Sequence, residues 1–181
     1  KDVFTEKRTG ILENATANVP DYTGFRLANM NTGVVRNSGF EAVVGYDDHF
    51  GLFNFYLKGM ASFARNQIIE KAETVKPHDW LYEEGYRINQ NRGLMYDGFY
   101  QVEDFTSEGL LKEGVVVSTF ANAQPGDLKF KDQNNDGLIN DYDKVPYGFT
   151  NIPELTFGFN LGFKYKGFDF DAFFQGVTNR T

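Results

Sequence analysis

The chain has 181 residues, a formal charge of −7 and a pI near 4.8, which excludes nucleic acid as an expected partner. It contains no cysteine, which excludes a disulfide framework and a thiolate metal site. The mean hydropathy of −0.45 and the absence of any apolar run near 18 residues exclude a transmembrane helix. Transmembrane β-strands are still compatible with these values, because half of each strand can face water. Aromatic residues make up 17% of the chain, which suits a lipid-facing band.

The sequence predicts five β-strands, and the first three lie within residues 1–66. Residues 1–12 form a weak strand with poor alternation, and the second and third strands flank a turn at Asp47-Asp48-His49. One face of these two strands is apolar: Phe40, Ala42, Val44 and Tyr46, then Phe53, Phe55, Leu57, Gly59, Ala61 and Phe63. The other face is polar: Glu41, then Asn54, Lys58, Ser62 and Asn66. Because a charged Lys58 is costly toward lipid, we expect this polar face to line a wet lumen.

The last two strands, over residues 155–181, show the clearest alternation in the chain. Apolar residues occupy every second position: Leu155, Phe157, Phe159, Leu161, Phe163 and Tyr165, then Phe168, Phe170, Ala172 and Phe174. The residues between them are small or polar, such as Asn160, Lys164, Asp169, Asp171 and Gln175. The link Lys166-Gly167 is a tight-hairpin signal. Each run has about 10 residues, which is enough to cross a bilayer as a tilted strand.

The connections between the predicted strands alternate between long and short. Residues 13–32 form a medium loop, 47–51 a tight turn, 67–154 a very long insertion and 166–167 a tight turn. Outer-membrane barrels have short periplasmic turns and long extracellular loops, so the long insertion is expected outside the cell. The predicted fold is therefore an all-β, antiparallel transmembrane β-barrel segment of about five strands. Five strands cannot close a barrel, so further strands are expected from a longer polypeptide or from other subunits.

One motif in the long insertion has the spacing of a calcium-binding loop. Residues 132–143 match D-x-N-x-D-G-x-I with a carboxylate at the twelfth position. The expected ligands are Asp132, Asn134, Asp136, the carbonyl of Leu138 and Asp143. Aspartate at the twelfth position has a shorter arm than glutamate, which favours a structural Ca²⁺ site over a sensor. The alternative interpretation is an acidic turn that only resembles such a loop.

Other candidate residues in the insertion carry weaker signals. Its aromatic residues could stack on sugar rings, or could pack the loop against itself: Trp80, Tyr82, Tyr86, Tyr96 and Tyr100. The neighbouring acids Glu83-Glu84 and Glu103-Asp104 suit a solvated face better than an acid pair for glycoside hydrolysis. Asn14-Ala15-Thr16 matches a glycosylation acceptor in form only. No catalytic residue is expected.

Several motifs, in order along the chain, resemble the SusC/RagA family of TonB-dependent outer-membrane transporters of Bacteroidetes. They are Asn37-Ser38-Gly39-Phe40-Glu41, Tyr96-Asp97-Gly98-Phe99-Tyr100-Gln101, the run 125–132 that leads into the acidic loop, the run 153–160, Tyr165-Lys166-Gly167-Phe168-Asp169 and Phe173-Phe174-Gln175-Gly176. The segment Leu27-Ala28-Asn29-Met30-Asn31 also resembles the family and shows one departure. The glycine that usually follows the asparagine in the family appears here only as Gly33.

The resemblance implies part of a large barrel of about 22 strands with a plugged lumen. It implies import of oligosaccharides or peptides with a SusD-like surface lipoprotein as partner. It also implies that TonB drives import through a plug and an N-terminal segment outside this sequence.

The first alternative function is that of a secreted, soluble β-sandwich that binds calcium and a carbohydrate or protein. The second is a glycan-processing enzyme, for which the sequence offers no suitable pair of carboxylates.

Overall fold

The computed structural model describes residues 1–13, 24 and 28–181, and two compact units can be distinguished in it. Unit 1 comprises Lys1–Glu73, Glu83–Asn89 and Gly148–Thr181, and unit 2 comprises Thr74–Tyr82 and Gln90–Tyr147. Most of the loop predicted over 13–32, including Asn14-Ala15-Thr16, lies outside the described residues. Among those residues, no helix has the length and apolar content needed to cross a membrane.

Unit 1 is built on a five-stranded antiparallel sheet with the order β1-β2-β3-β10-β11. Its strands are β1 (Asp2–Glu13), β2 (Met30–Phe50), β3 (Phe53–Glu70), β10 (Leu155–Tyr165) and β11 (Phe168–Thr178). Neighbours in this order pair antiparallel throughout. The predicted all-β, antiparallel fold class is therefore confirmed. The predicted domain limits at residues 66 and 154 stay a prediction, and β3 itself continues to Glu70.

The first hairpin turn lies after Asp47-Asp48-His49, at the end of the predicted turn region 47–51. β2 runs through Asp47, Asp48 and His49 to Phe50, which pairs with Phe53, so the turn is formed by Gly51 and Leu52. Gly51 has φ +60°, a left-handed conformation that glycine adopts at little cost. The polar residues before it stay in the strand, where the Tyr46 hydroxyl donates to Asp48 at 2.8 Å. The polar residues Asp47-Asp48-His49 therefore indicate where the apolar part of β2 ends, but they do not form the turn.

The register places the apolar residues of four strands on one face of the sheet. In antiparallel pairs directly opposed residues share a face. One row joins Phe40, Phe63 and Leu155, and the last row joins Phe50, Phe53, Tyr165 and Phe168. Ring stacking supports this face, with Phe53 and Phe163 centroids 5.5 Å apart and Phe163 and Phe170 centroids 5.3 Å apart. We call this surface the aromatic face.

The aromatic face is open to the surroundings along much of its area. Phe157 is 48% exposed, and Phe168 and Phe174 are each 60% exposed. The opposite face carries Glu41, Lys58 and other polar groups, with Lys164 and Asp169 forming an exposed ion pair at 2.8 Å. A sheet with an uncovered aromatic face needs a non-aqueous environment or another surface against it.

Unit 2 contains short strands and turns around a small core. The strands are β4 (Arg92–Gly93), β5 (Tyr96–Phe99), β6 (Val117–Ser118), β7 (Leu128–Phe130), β8 (Leu138–Ile139) and β9 (Val145–Pro146). β4 pairs with β9 and β5 with β7, both antiparallel, while β6 and β8 are parallel. Short 3-10 helices cover Asp79–Leu81, Val102–Asp104 and Asp141–Asp143. Tyr100, Phe105 and Ile139 are buried and form the core of this unit.

Candidate functional site

The predicted cation loop, residues 132–143, folds around the side chain of its first residue. Asp132 Oδ1 accepts from the amide of Asn135 at 2.7 Å, and its Oδ2 accepts from the amide of Gly137 at 2.7 Å. Asp136 Oδ1 accepts from the Leu138 amide at 2.8 Å, and its Oδ2 accepts from Asn134 Nδ2 at 2.8 Å. The structure therefore brings Asp132, Asn134 and Asp136 together in one hydrogen-bonded turn.

The backbone of the loop turns sharply, and a buried residue fixes the loop to the core of unit 2. Asn135 and Gly137 have φ +58° and +83°, both in the left-handed region that asparagine and glycine tolerate best. Ile139, at the eighth position, is fully buried and fixes the loop to the core of unit 2. The motif D-x-N-x-D-G-x-I has an apolar residue at this position.

The pairing of β8 with β6 orients the Leu138 carbonyl. The carbonyls of Gly137 and Ile139 accept from the amides of Val117 and Thr119, at 3.0 and 2.9 Å. Successive carbonyls in a strand point to opposite sides, so the Leu138 carbonyl points away from β6. This is the oxygen that the motif offers to a cation.

Asp143 lies beneath the loop and is fully buried. Its Oδ1 accepts from the Gln133 amide at 2.9 Å, and its Oδ2 accepts from the Asn140 amide at 2.8 Å. Asp143 therefore links Gln133, at the second position of the loop, to Asn140, at the ninth. It also completes a capping box with Asn140 on the helix Asp141–Asp143. Within residues 28–181, no three acids or histidines converge into a ready metal-binding group.

The chemistry of the donors nevertheless fits a hard cation. All the predicted ligand atoms are oxygens, and a carboxylate oxygen that accepts one hydrogen bond keeps a further lone pair. The hydrogen bond from the Leu138 amide, followed by that from Asn134, lowers the pKa of Asp136, so its carboxylate stays ionised in mild acid. Asp132, Asn134, Asp136, Leu138 and Asp143 are therefore the residues that would hold Ca²⁺.

An aromatic cluster adjoins the end of the loop. The rings of His78 and Trp80 stack with centroids 4.6 Å apart, and the Trp80 indole nitrogen donates to the Tyr142 carbonyl at 2.7 Å. The His78 ring also meets the Tyr142 ring edge-on at 6.2 Å. The separation of 62 residues between Trp80 and Tyr142 gave no sequence signal for this cluster.

The other aromatic candidates for sugar stacking differ in their surroundings. Tyr100 is only 2% exposed, and its hydroxyl donates to the Val116 carbonyl at 2.8 Å, so it packs the core of unit 2. Tyr82 accepts from the Lys76 amide through its hydroxyl at 2.9 Å. Tyr96 is mostly exposed and meets Phe99 edge-on at 5.6 Å. Among these three candidates, Tyr96 therefore keeps the most open ring and Tyr100 the least.

Unit 1 contains a buried ion cluster that the sequence did not reveal. Glu154 is 5% exposed and accepts from Arg65 Nε at 2.9 Å, from Arg65 Nη2 at 2.7 Å and from Arg87 Nε. Burial raises the pKa of Glu154, but the hydrogen bonds and charges of Arg65 and Arg87 outweigh burial and lower that pKa overall. The sequence separation of 89 between Arg65 and Glu154 explains why no motif indicates the pair.

Comparison with known proteins gives relatives of one kind. No family model matches the chain. The TonB-dependent receptor P26 of Formosa agariphila is 26% identical over 186 residues, covering 96% of this chain and 18% of the receptor. The TonB-dependent receptor P3 of the same organism is 26% identical over 171 residues, covering 87% of this chain and 16% of the receptor. The chain thus spans less than a fifth of the length of these relatives.

Solved structures show the same fold. The RagAB peptide importer in its open-open state matches 98% of this chain and 18% of its own, with a TM-score of 0.66 and 16% identity. Its closed-closed state matches with a TM-score of 0.61 and 17% identity, over 98% of this chain and 19% of its own. The sheet of unit 1 therefore has the fold of the matching part of the RagAB importer. The resemblance to SusC/RagA-type TonB-dependent transporters found in the sequence is confirmed.

Proposed function

We propose that this chain contributes five strands to the wall of an outer-membrane importer, with the aromatic face toward lipid and the polar face toward the lumen. The observation that carries this proposal is the uncovered aromatic face of unit 1. A soluble β-sandwich would bury such a face against a second sheet. In the described residues, Phe157, Phe168 and Phe174 stay largely exposed instead.

The height of the aromatic face supports the same proposal. β10 and β11 have 11 residues each. At about 3.3 Å per residue and a tilt of about 40°, such strands rise about 28 Å, close to the apolar band of about 25 Å in outer-membrane barrels. The face therefore has the height that a membrane requires.

Two neighbouring residues provide a matched test of the orientation. Phe174 lies on the aromatic face and Gln175 on the polar face, at the same depth in β11. Phe174→Lys should destabilise the full-length protein in the outer membrane by about 2–4 kcal/mol, because it places a charge in lipid. Gln175→Lys adds the same charge toward water and should leave stability within about 0.5 kcal/mol. Resistance to unfolding on heating in detergent, together with the yield in outer-membrane fractions, measures both effects.

A result in which both variants behave alike would contradict the orientation. Equal tolerance of lysine at both positions would mean that the aromatic face is not in lipid. Equal loss at both positions would mean that neither face lines water. Recovery of the wild-type protein in the aqueous fraction would overturn the membrane location itself.

The cargo and partners follow from the family resemblance and from the names of the relatives. We infer import of peptides or oligosaccharides, with a SusD-like lipoprotein on the outer surface and TonB as the source of energy. Peptide import is the activity in the name of the structural neighbour RagAB. Co-purification of a surface lipoprotein with the full-length protein tests the partner, and calorimetry with a peptide mixture and a glycan mixture tests the cargo. The relatives are receptors and importers, so we propose transport and not catalysis.

We further propose that Ca²⁺ bound by loop 132–143 orders unit 2. A cation would offset the repulsion between Asp132 and Asp136, which one short turn brings together. An ordered loop would lower the entropy cost of docking a lipoprotein or cargo. The expected affinity is that of extracellular modules, with a Kd of about 10⁻⁴–10⁻³ M.

Calcium removal and two loop variants test this role. In the full-length protein, a chelator should increase proteolysis within residues 90–147. Asp132→Asn should give that sensitivity even with calcium present, because it removes a charged ligand. Asp141→Asn is the control, since its side chain is 76% exposed and its ion pair is with Lys144 at 2.6 Å. Protease protection that is unchanged by the chelator would refute a structural calcium site.

A further inference from the structure

Four basic residues of unit 1 lie together at the end of the sheet from which the long insertion leaves. Lys7 on β1 pairs with Arg36 on β2, and Arg36 pairs with Gln67 on β3. Arg65 on β3 lies one row nearer the aromatic face, and Arg87 joins it through their shared partner Glu154. We call Lys7, Arg36, Arg65 and Arg87 the basic cluster.

The basic cluster borders the aromatic face and belongs to the same side of the sheet. Residues two apart in a strand share a face, so Lys7, Arg36 and Arg65 point to the side that carries Phe40 and Phe63. Arg65 also sits over the Phe63 ring, with its guanidinium carbon 5.4 Å from the ring centroid. Arg65 therefore follows the Phe40–Phe63 row directly on this face, and Lys7 and Arg36 lie in the row after it.

The charge of the cluster is only partly compensated. Glu154 is the shared acidic partner of Arg65 and Arg87. Arg36 donates to the uncharged Gln67 Oε1 at 2.6 Å. Among residues 1–13 and 28–181, no carboxylate forms a salt bridge with Lys7 or Arg36. Within the described residues, Lys7 and Arg36 therefore contribute two positive charges that have no acidic partner.

Two adjoining cavities give this surface a polar part and an apolar part. The polar cavity, of about 310 Å³, is lined by Arg36, Ser38, Arg65, Gln67 and Arg87 among others. The apolar cavity, of about 460 Å³, is lined mainly by Lys1, Val3, Ser38, Gly39, Phe40 and Phe63. Ser38 lines both, so the two cavities share a wall. A ligand that fits both has an anionic head and a hydrocarbon tail.

We propose that the basic cluster binds the phosphate groups of an outer-leaflet lipid, with an acyl chain against Val3, Phe40 and Phe63. The proposal rests on the proposed function, since it requires the aromatic face to be in the membrane. Arginine suits this ligand because its planar fork matches phosphate oxygens in a bidentate manner. The position at the border of the apolar band is where lipid head groups lie.

The test uses the full-length protein in detergent, with lipid A as the probe, either with or without its phosphate groups. Lys7→Gln combined with Arg36→Gln removes two charges and leaves the buried ion cluster at Glu154 intact. Loss of these charge-assisted contacts should weaken binding of phosphorylated lipid A about tenfold and leave the dephosphorylated form unaffected. The control is Arg8→Gln. Arg8 follows Lys7 on the opposite face, is 72% exposed and pairs with Glu6 at 2.8 Å.

Each outcome of this test bears on the proposal. Equal binding of the two forms of lipid A by the wild type, or an equal loss in the Arg8→Gln control, would overturn it. Inorganic phosphate at millimolar concentration is a second arm. If it displaces phosphorylated lipid A completely, the site takes free phosphate and the lipid assignment fails. Recovery of the wild type in the outer-membrane fraction is measured first. If the wild type is absent from that fraction, the proposed function fails, whereas a failure of the lipid A test alone overturns only the lipid site.

Discussion

Glu154 is the residue on which the end of the sheet depends most. It accepts from two arginines, and its backbone accepts from Ala64 at 2.9 Å and donates to Asn179 at 3.3 Å. Glu154→Gln keeps the shape but leaves two guanidinium groups against a neutral amide. We expect a loss of about 2 kcal/mol, below the 3–5 kcal/mol of a fully buried pair because Arg65 is half exposed. Urea unfolding of the full-length protein in detergent measures this loss, and an unchanged midpoint would contradict it.

The same residue gives a pH dependence with a defined sign. The pKa of Glu154 is lower in the folded protein than its ordinary value of 4.5. Its stabilising effect is therefore fully present above pH 4.5 and is lost as the pH falls through the lowered folded pKa. The wild type should lose stability below pH 4.5 more steeply than Glu154→Gln does. Parallel pH profiles for the two proteins would argue against this contribution.

At the scale of residues, sequence reasoning succeeded where chemistry is local in the chain. The motif that begins at Asp132 indicates a tight acidic turn with a glycine at its sixth position, and the chain forms such a turn at Gly137. The spacing alone gave no sign that Asp143 also accepts from the backbone amides of Gln133 and Asn140 and is fully buried. It also missed the partners of Glu154, which are distant in sequence and depend on the pairing of strands.

At the scale of elements, Gly39 controls how closely β2 approaches β3. A Cβ at Gly39 would overlap the carbonyl oxygen of Phe63 and come within 2.9 Å of the Ala64 Cα, so backbone would have to move. Gly39→Ala should therefore cost about 1–3 kcal/mol. Gly45→Ala in the same strand is the control, because the nearest atom to its added Cβ is the Leu57 oxygen at 3.8 Å. Thermal unfolding in detergent compares them, and equal effects would exclude the steric explanation.

Periodicity predicted most clearly the strands that have one clean apolar face. The weak strand predicted over residues 1–12 occurs as β1, Asp2–Glu13, although its alternation is poor. β10 and β11 occur where their alternation indicates, joined at Lys166-Gly167. β2 is 21 residues long and is polar toward both ends, so the apolar pattern showed only Phe40–Tyr46. The strands of unit 2 have two to four residues each, which is too short for any period to appear.

At the scale of the whole molecule, the two rival folds predict different behaviour in water. Both edge strands of the sheet, β1 and β11, lack a second neighbour in the described part of the chain, and the aromatic face is uncovered. Residues 1–181 expressed alone should therefore aggregate in detergent-free buffer. Size-exclusion chromatography and circular dichroism measure this. A monodisperse, folded monomer would favour the soluble sandwich over the barrel wall.

The order of strands in the sheet also constrains how the chain assembles. β2 and β3, like β10 and β11, are joined by two-residue turns, whereas β3 and β10 pair across an excursion of roughly 80 residues. Closing that excursion costs about 3 kcal/mol more chain entropy than closing a tight turn. The two hairpins should therefore form early, and β3 should pair with β10 late. Compaction of unit 2 would shorten the excursion. The contact between Arg65 and Glu154 would then stabilise the pairing of β3 with β10.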